Sequence, residues 1–206
     1  MEPDDFIPLA EDTGFIVPLG EWVLGEALRQ LSAWRRDGVA PSTFFVSVNL
    51  SPRQLLERSL PGTVRRLVSE NALLPTDLTL EITETTLMSE RSAMSDAVTA
   101  LSELGVSLSI DDFGTGYSSL SYLRYLPVAQ LKVDRSFVAA LTDRPRDSAL
   151  VAAVIALAHE FGMTCVAEGV ETAEQLERLE LMGCDYAQGF HLGRPVSPAS
   201  VPSGWQ

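Results

Sequence analysis

The sequence predicts an α/β fold: a TIM-like parallel β/α barrel, incomplete, with about six of its eight strands present. Three observations lead there. Six short apolar runs are each followed by a helical pattern. Each run carries a carboxylate, an amide or a lysine at or near its end: FFVSVNL ends at Asn49, LTLEIT begins its polar end at Glu81, VSLSIDD ends at Asp111 and Asp112, AQLKVD carries Lys132, MTCVAEG carries Glu168 and DYAQG carries Gln188. The C-terminal strand ends of such barrels carry their chemistry. A closed barrel needs eight strands and roughly 250 residues. Two strand-helix units are therefore expected to be missing from these 206 residues.

The elements follow in order. Residues 3–12 read as a short helix, with Pro3 in its first turn and acidic residues near its start. A stronger helix spans 17–36, with Leu19, Val23, Ala27 and Leu31 on one face and Leu24, Leu28 and Trp34 beside it; Gly38 stops it. Strand 44–49 precedes a helix at 61–71. Strand 78–83 leads into a helix at 86–104, with Met94, Ala97, Val98, Leu101 and Leu104 aligned. Strand 106–111 enters the loop DDFGTGYSS and a short helix stopped by Pro127. Strand 129–133 and the turn SFVAAL come next, then the polar loop DRPRD. The helix at 147–161 is expected to turn Leu150, Val154, Leu157 and Phe161 inward. Strand 164–168, helix 172–182 and strand 185–189 close the series. The tail after Pro195 is rich in proline and serine and reads as irregular.

Composition narrows the function. The chain is 46% hydrophobic, enough for one buried core, and carries a net charge of −13. No basic stripe exists to displace counterions, so polymeric nucleic acid is excluded as a partner. A small nucleotide held through metal ions remains compatible with this charge. The longest apolar run, ALVAAVIALA, is far short of the ~20 residues that span a bilayer, so membrane contact is not expected. MEPDDF lacks the basic start of a signal peptide, and the expected location is the cytoplasm. Cys165 and Cys184 are expected to be small buried hydrophobes.

Adjacent aspartates at a strand end suit two divalent ions, one carboxylate bridging and one terminal. A lone Asp-Asp would more often be a turn cap. Asn49, Glu81 and Glu168 at equivalent strand ends favour a metal site for a phosphate-bearing substrate. GTGYSS lacks the third glycine of a dinucleotide fingerprint, and the preceding aspartates would repel a pyrophosphate. Lys132, within an apolar strand, must be paired or face the barrel mouth. It is placed to stabilise phosphate charge or orient a water. Glu168 is placed to bind metal or accept a proton. Glu84 is either a helix-start carboxylate or an anchor for a neighbouring loop. Gln188 carries the weakest signal, because a structural amide would look the same.

At these residues the chain resembles the EAL family of cyclic di-GMP phosphodiesterases. The runs DDFIPLAEDTGFIVPLGEWVL, SVNLSPRQL, LEITET, IDDFGTGYSSLSYLRYLPVAQLKVDRSFV, AEGVET and GCDYAQGFHLGRP carry the likeness in the family's order. The resemblance implies a modified β/α barrel with one antiparallel strand. It also implies metal-dependent hydrolysis of cyclic di-GMP to the linear dinucleotide with Mg²⁺ or Mn²⁺. Metal ligands by this likeness are Asn49, Glu81, Asp111 and Asp112. Glu168 is at the second metal or the water, Lys132 beside the nucleophile, and Gln188 in the water or metal network. Glu84 would steady the loop from Phe113 to Ser119, which the family links to metal binding and dimerisation. Residues 1–195 are expected to form a partial EAL domain, with 196–206 as an irregular tail. The family's first strand and its Glu-Ala-Leu signature, itself a metal-ligand motif, would precede Met1. The chain alone is therefore expected to be weakly active or inactive. Expected partners are cyclic di-GMP, a second copy, and sensory or cyclase domains in the intact protein. The competing reading is an inactive nucleotide receptor, an interaction module or a remnant.

Overall fold

The computed structural model describes residues 3–89, 91–114, 123–141 and 145–201. The chain divides into two compact units. The first comprises Met1–Ile82, Ser89–Ser107 and Ser197–Gln206; the second comprises Thr83–Met88 and Leu108–Val196.

In the first unit, α1 (Pro3–Thr13) and α2 (Ile16–Arg36) precede strand β1 (Val46–Asn49). Helices α3 (Pro52–Leu55) and α4 (Leu60–Glu70) lead to β2 (Leu78–Thr83), which pairs parallel with β1. Ser51 and Gln54 close a reciprocal capping box at the start of α3. The buried stripe of α2 is Gly20, Leu24, Leu28 and Leu31. Val23, on the expected face, is 38% exposed, whereas Leu24 and Leu28, expected beside it, are buried with Leu31, so the buried stripe is shifted toward them. Strand β1 starts two residues later than expected. The Phe44 carbonyl is occupied by the Arg35 guanidinium at 2.7 Å instead of a ladder partner. That guanidinium also grips Asp77 through two bonds of 2.6 and 2.7 Å. Between α2 and β1 runs a groove of about 590 Å³, lined by Trp22, Val23, Trp34, Phe44, Phe45 and Val46. The tail is not wholly irregular: Pro198–Ser200 make a 3-10 turn, and Trp34 Nε1 donates to Pro198 O at 3.2 Å.

Where a helix was expected at 86–104, helical residues run over Glu84–Ser89 (α5) and Arg91–Glu103 (α6), with residue 90 outside the described residues. The earlier start follows from Thr83, whose hydroxyl accepts from Thr86 N at 3.4 Å and meets the Thr86 hydroxyl at 2.8 Å.

The second unit is a run of parallel strands. β3 (Ser107–Phe113), but for its first residue, pairs with β4 (Gln130–Val133), β4 with β5 (Thr164–Glu168), and β5 with β6 (Tyr186–Gln188). Between them lie α7 (Arg135–Ala139), α8 (Pro145–Glu160) and α9 (Ala173–Leu181). The middles of β3, β4 and β5 are buried, as parallel strands covered on both faces must be, whereas β6 is largely exposed, with Tyr186 at 52%. Helix α8 turns Val151, Val154, Ile155 and Ala158 inward, while Leu150 is 42% and Phe161 37% exposed. Its sequence is apolar almost all round, so periodicity alone did not single out this face. Residues 115–119 and the first two residues of the expected DRPRD loop lie outside the described residues, while Pro145–Asp147, expected in that loop, already belong to α8. No helix among the described residues is long and apolar enough to cross a membrane.

Candidate metal centre

Side chains alternate between the two faces of a strand, so Asp111 and Asp112 would ordinarily point apart. They do not, because β3 is irregular there: its register with β4 shifts between Ile110 and Phe113. Asp112 adopts a left-handed φ of 55°, which aspartate tolerates better than most residues. Asp112 N donates to Asp111 Oδ1 at 3.0 Å and locks the corner. The result is that carboxylate oxygens of Asp111, Asp112 and Glu168 all lie within 4.8 Å of one another.

Lys132 arrives from β4 between Asp111 and Glu168. Its Nζ is 2.6 Å from Glu168 Oε1 and 3.2 Å from Asp111 Oδ1, and the residue is 4% exposed. The sequence argument that a strand lysine must be paired or face the mouth resolves to pairing. Burial pushes the Asp112 carboxyl above the usual range, and the Asp111 and Asp134 carboxylates push it further. Lys132 and Arg135 oppose this. Asp134 and Arg135 were not singled out from the sequence as site residues. The available signal was an acid-base pair at the exit of the lysine-bearing strand, which reads equally as a helix cap. Asp134 does cap α7, accepting from Ser136 N at 3.0 Å.

Glu84 is 1% exposed, and its Oε2 accepts from Gly114 N at 2.8 Å. It thus anchors the first residue beyond β3, where a loop contact was one of two sequence expectations. Glu168 and Gln188 are register partners across β5 and β6. The Gln188 side chain is exposed rather than a buried structural amide, while its carbonyl accepts from Val170 N at 3.0 Å. His191 N returns to Val170 O at 3.0 Å. Gly189 makes this clasp feasible, because a Cβ there would fall 2.2 Å from the Val170 backbone.

In the first unit, Asn49 and Glu81 are register partners at the ends of β1 and β2. Leu50 N donates to Glu81 O at 2.8 Å. Asn49 is exposed and Glu81 is 7% exposed.

Three clustered carboxylates are hard oxygen donors, and among the described residues they form the one group of three or more acidic, histidine or cysteine ligands close enough for a metal ion. This donor set fits Mg²⁺ or Mn²⁺ and is unsuited to soft, thiolate-seeking ions.

Site and fold together define a β/α-barrel protein with a carboxylate-lysine centre at its strand ends. Residues 1–195 match the family model described as EAL domain, and the chain belongs to that family. It is 47% identical over 94% of its length to the bifunctional diguanylate cyclase/cyclic di-GMP phosphodiesterase MucR of Pseudomonas aeruginosa, covering 28% of that protein. It is 43% identical over 97% of its length to the cyclic di-GMP phosphodiesterase NbdA of the same species, covering 25% of it. The chain thus spans about a quarter of these curated relatives. Among solved structures, it superposes with TM-score 0.90 and 46% identity on the PaMucR phosphodiesterase in complex with c-di-GMP, covering 95% of this chain and 78% of that one. The EAL domain of Mycobacterium smegmatis DcpA matches with TM-score 0.83 and 44% identity over 88% and 81% of the two chains. The expected fold, an incomplete EAL-type barrel with six strands, is borne out.

Proposed function

We propose that the chain hydrolyses cyclic di-GMP to the linear dinucleotide, as part of an intact EAL domain in a multidomain signalling protein. The observation that carries this reading is the cluster of Asp111, Asp112 and Glu168 around buried Lys132, in a family whose relatives MucR and NbdA bear phosphodiesterase names. Asp111, Asp112 and Glu168 would hold Mg²⁺ or Mn²⁺; Asn49 and Glu81 as further ligands, and a second ion, are what the family resemblance adds. Bound ions of this kind lower the pKa of water and neutralise phosphate charge. They also let an acidic site accept an anion.

The chain's own residues do the rest. Glu168 Oε1 is the proton acceptor for the attacking water, and Lys132 Nζ, 2.6 Å from it, holds that carboxylate in place. The ammonium also balances charge on the phosphate. Gln188, exposed beside Glu168, supplies an amide to orient water or substrate. Glu84 fixes the start of the loop after β3 through Gly114 N. Dimerisation through that loop belongs to the same reading.

The test is conversion of cyclic di-GMP to the linear dinucleotide, followed chromatographically with Mn²⁺ and with chelator. In an intact domain, Glu168→Ala and Asp111→Asn should each lower turnover by about 10²–10⁴-fold while leaving the fold in place. Parent-level turnover in either variant would contradict the assigned roles. Tight nucleotide binding without any turnover in the parent would instead establish a receptor.

A further inference from the structure

The two cysteines lie away from the carboxylate centre, and nothing in the proposed hydrolysis uses them. Cys165 is in β5 and Cys184 is the second residue before β6, which pairs with it. Strand pairing therefore brings together two thiols 19 residues apart. Cys184 Sγ lies 3.5 Å from Cys165 O and 3.2 Å from Tyr186 O. Both cysteines are free thiols; Cys165 is fully buried and Cys184 partly exposed.

The pair is chemically unequal. The Cys165 thiol is hydrogen-bonded to Cys184 and buried, which hold its pKa far up. The same bond from Cys165, helped by the backbone N–H groups of Tyr186 and Ala167, lowers Cys184 against the cost of burial and the nearby Asp185. The more accessible sulfur is thus also the better nucleophile. The buried sulfur is out of reach of other proteins but adjacent to its partner.

We propose that Cys165 and Cys184 are a redox modification site, closing reversibly to an intramolecular disulfide on exposure to a peroxide. Cys184 sulfur attacks one peroxide oxygen, the O–O bond breaks, and a sulfenic acid and one water result. Cys165 sulfur then displaces the sulfenic oxygen as a second water, giving the S–S bond. Two thiols are oxidised by two electrons and one peroxide is reduced to two waters. A small dithiol reverses the step. Disulfides in reducing compartments are mostly of this transient kind. Closure draws Cys184 Sγ away from Tyr186 O and cross-links the two strands that end in Glu168 and Gln188. The proposal is independent of the phosphodiesterase reading, and its test needs no turnover.

The full chain, reduced and then freed of reductant, is treated with hydrogen peroxide. Thiols are counted after denaturation, intact mass is measured, and a non-reducing gel is run. Free thiols should fall from two to none, with loss of two hydrogens from the mass, no covalent dimer, and a digest fragment joining residues 165 and 184. Dithiothreitol should restore both thiols. In Cys184→Ser, the remaining buried thiol should survive the same treatment. In Cys165→Ser, Cys184 should instead gain oxygen or form a covalent dimer. The proposal is overturned if either cysteine of the parent, located in the digest apart from the five methionines, gains oxygen, or if the parent dimerises through sulfur. It is equally overturned if both thiols persist at a peroxide dose that fully oxidises free glutathione.

Discussion

Replacing Lys132 by methionine keeps the aliphatic stem and removes the charge between Glu168 and Asp111. At an effective dielectric of about 20, unit charges attract by about 6 kcal/mol at 2.6 Å and about 5 kcal/mol at 3.2 Å. Much of that is offset by the cost of burying three charged groups. Side-chain exposures of 5% for Lys132, 20% for Glu168 and 14% for Asp111 leave little room for solvent screening. Removing one member of such a buried set costs about 3–5 kcal/mol, because the others are left unpaired. Here the remainder is three carboxylates within 4.8 Å, which repel each other. For a chain of this size the loss corresponds to a melting-point drop of roughly 6–20 °C. The assay is thermal melting of parent and Lys132→Met in chelator, then in saturating Mn²⁺. A divalent ion among the same carboxylates replaces the missing positive charge, so the gap should narrow with metal. Coincident melting of the two chains in chelator would refute the claim that Lys132 holds this cluster together.

Three further outcomes follow from other contacts. Glu84→Ala should weaken Mn²⁺ binding by about 10-fold or more through loss of the Gly114 anchor, with Glu84→Gln restoring most of it, as metal titration would reveal. Burial pushes the Asp77 carboxyl up, but bonds from Arg35 and Leu74 N and the Arg35 charge hold it below the usual range. A depressed folded pKa gives stability that is complete above the unfolded value, about 3.9, and is lost as pH falls through the folded one. Asp77→Asn should therefore melt lower at pH 7 by about 3 kcal/mol or more, and the difference from the parent should shrink in acid; a constant difference from pH 7 to pH 2 would show that Asp77 is not the linked group. Ser109→Ala removes a fully buried hydroxyl that lacks a hydrogen-bond partner among the described residues, so denaturant unfolding should show a gain of about 1 kcal/mol.

Much of the strand framework that carries the candidate residues was readable because strand ends in a barrel are fixed by period and length. The runs ending at Asn49, Glu81, Asp111, Lys132, Glu168 and Gln188 all fall in observed strands. What could not be read was backbone irregularity. Nothing local in VSLSIDDF announces that β3 continues to Phe113 through a left-handed Asp112. Helix faces were also missed where apolar residues are too plentiful to choose between, as in α8. The late start of β1 depended on Arg35, which lies on α2 nine residues before Phe44 and claims its carbonyl only in the folded chain. The closeness of Cys165 and Cys184 is likewise a product of strand pairing, invisible in two isolated letters.

The left-handed turn at Asp112 also bears on how such a gene can drift. One base change converts an aspartate codon to asparagine or glycine. Both of those residues accept a φ of 55° without strain. Such a replacement deletes a carboxylate while leaving the bulge, the sheet and the rest of the core undisturbed. If the proposed metal-dependent hydrolysis holds, position 112 places a folded but chemically silent descendant a single mutational step away, and purifying selection on stability would not notice the change.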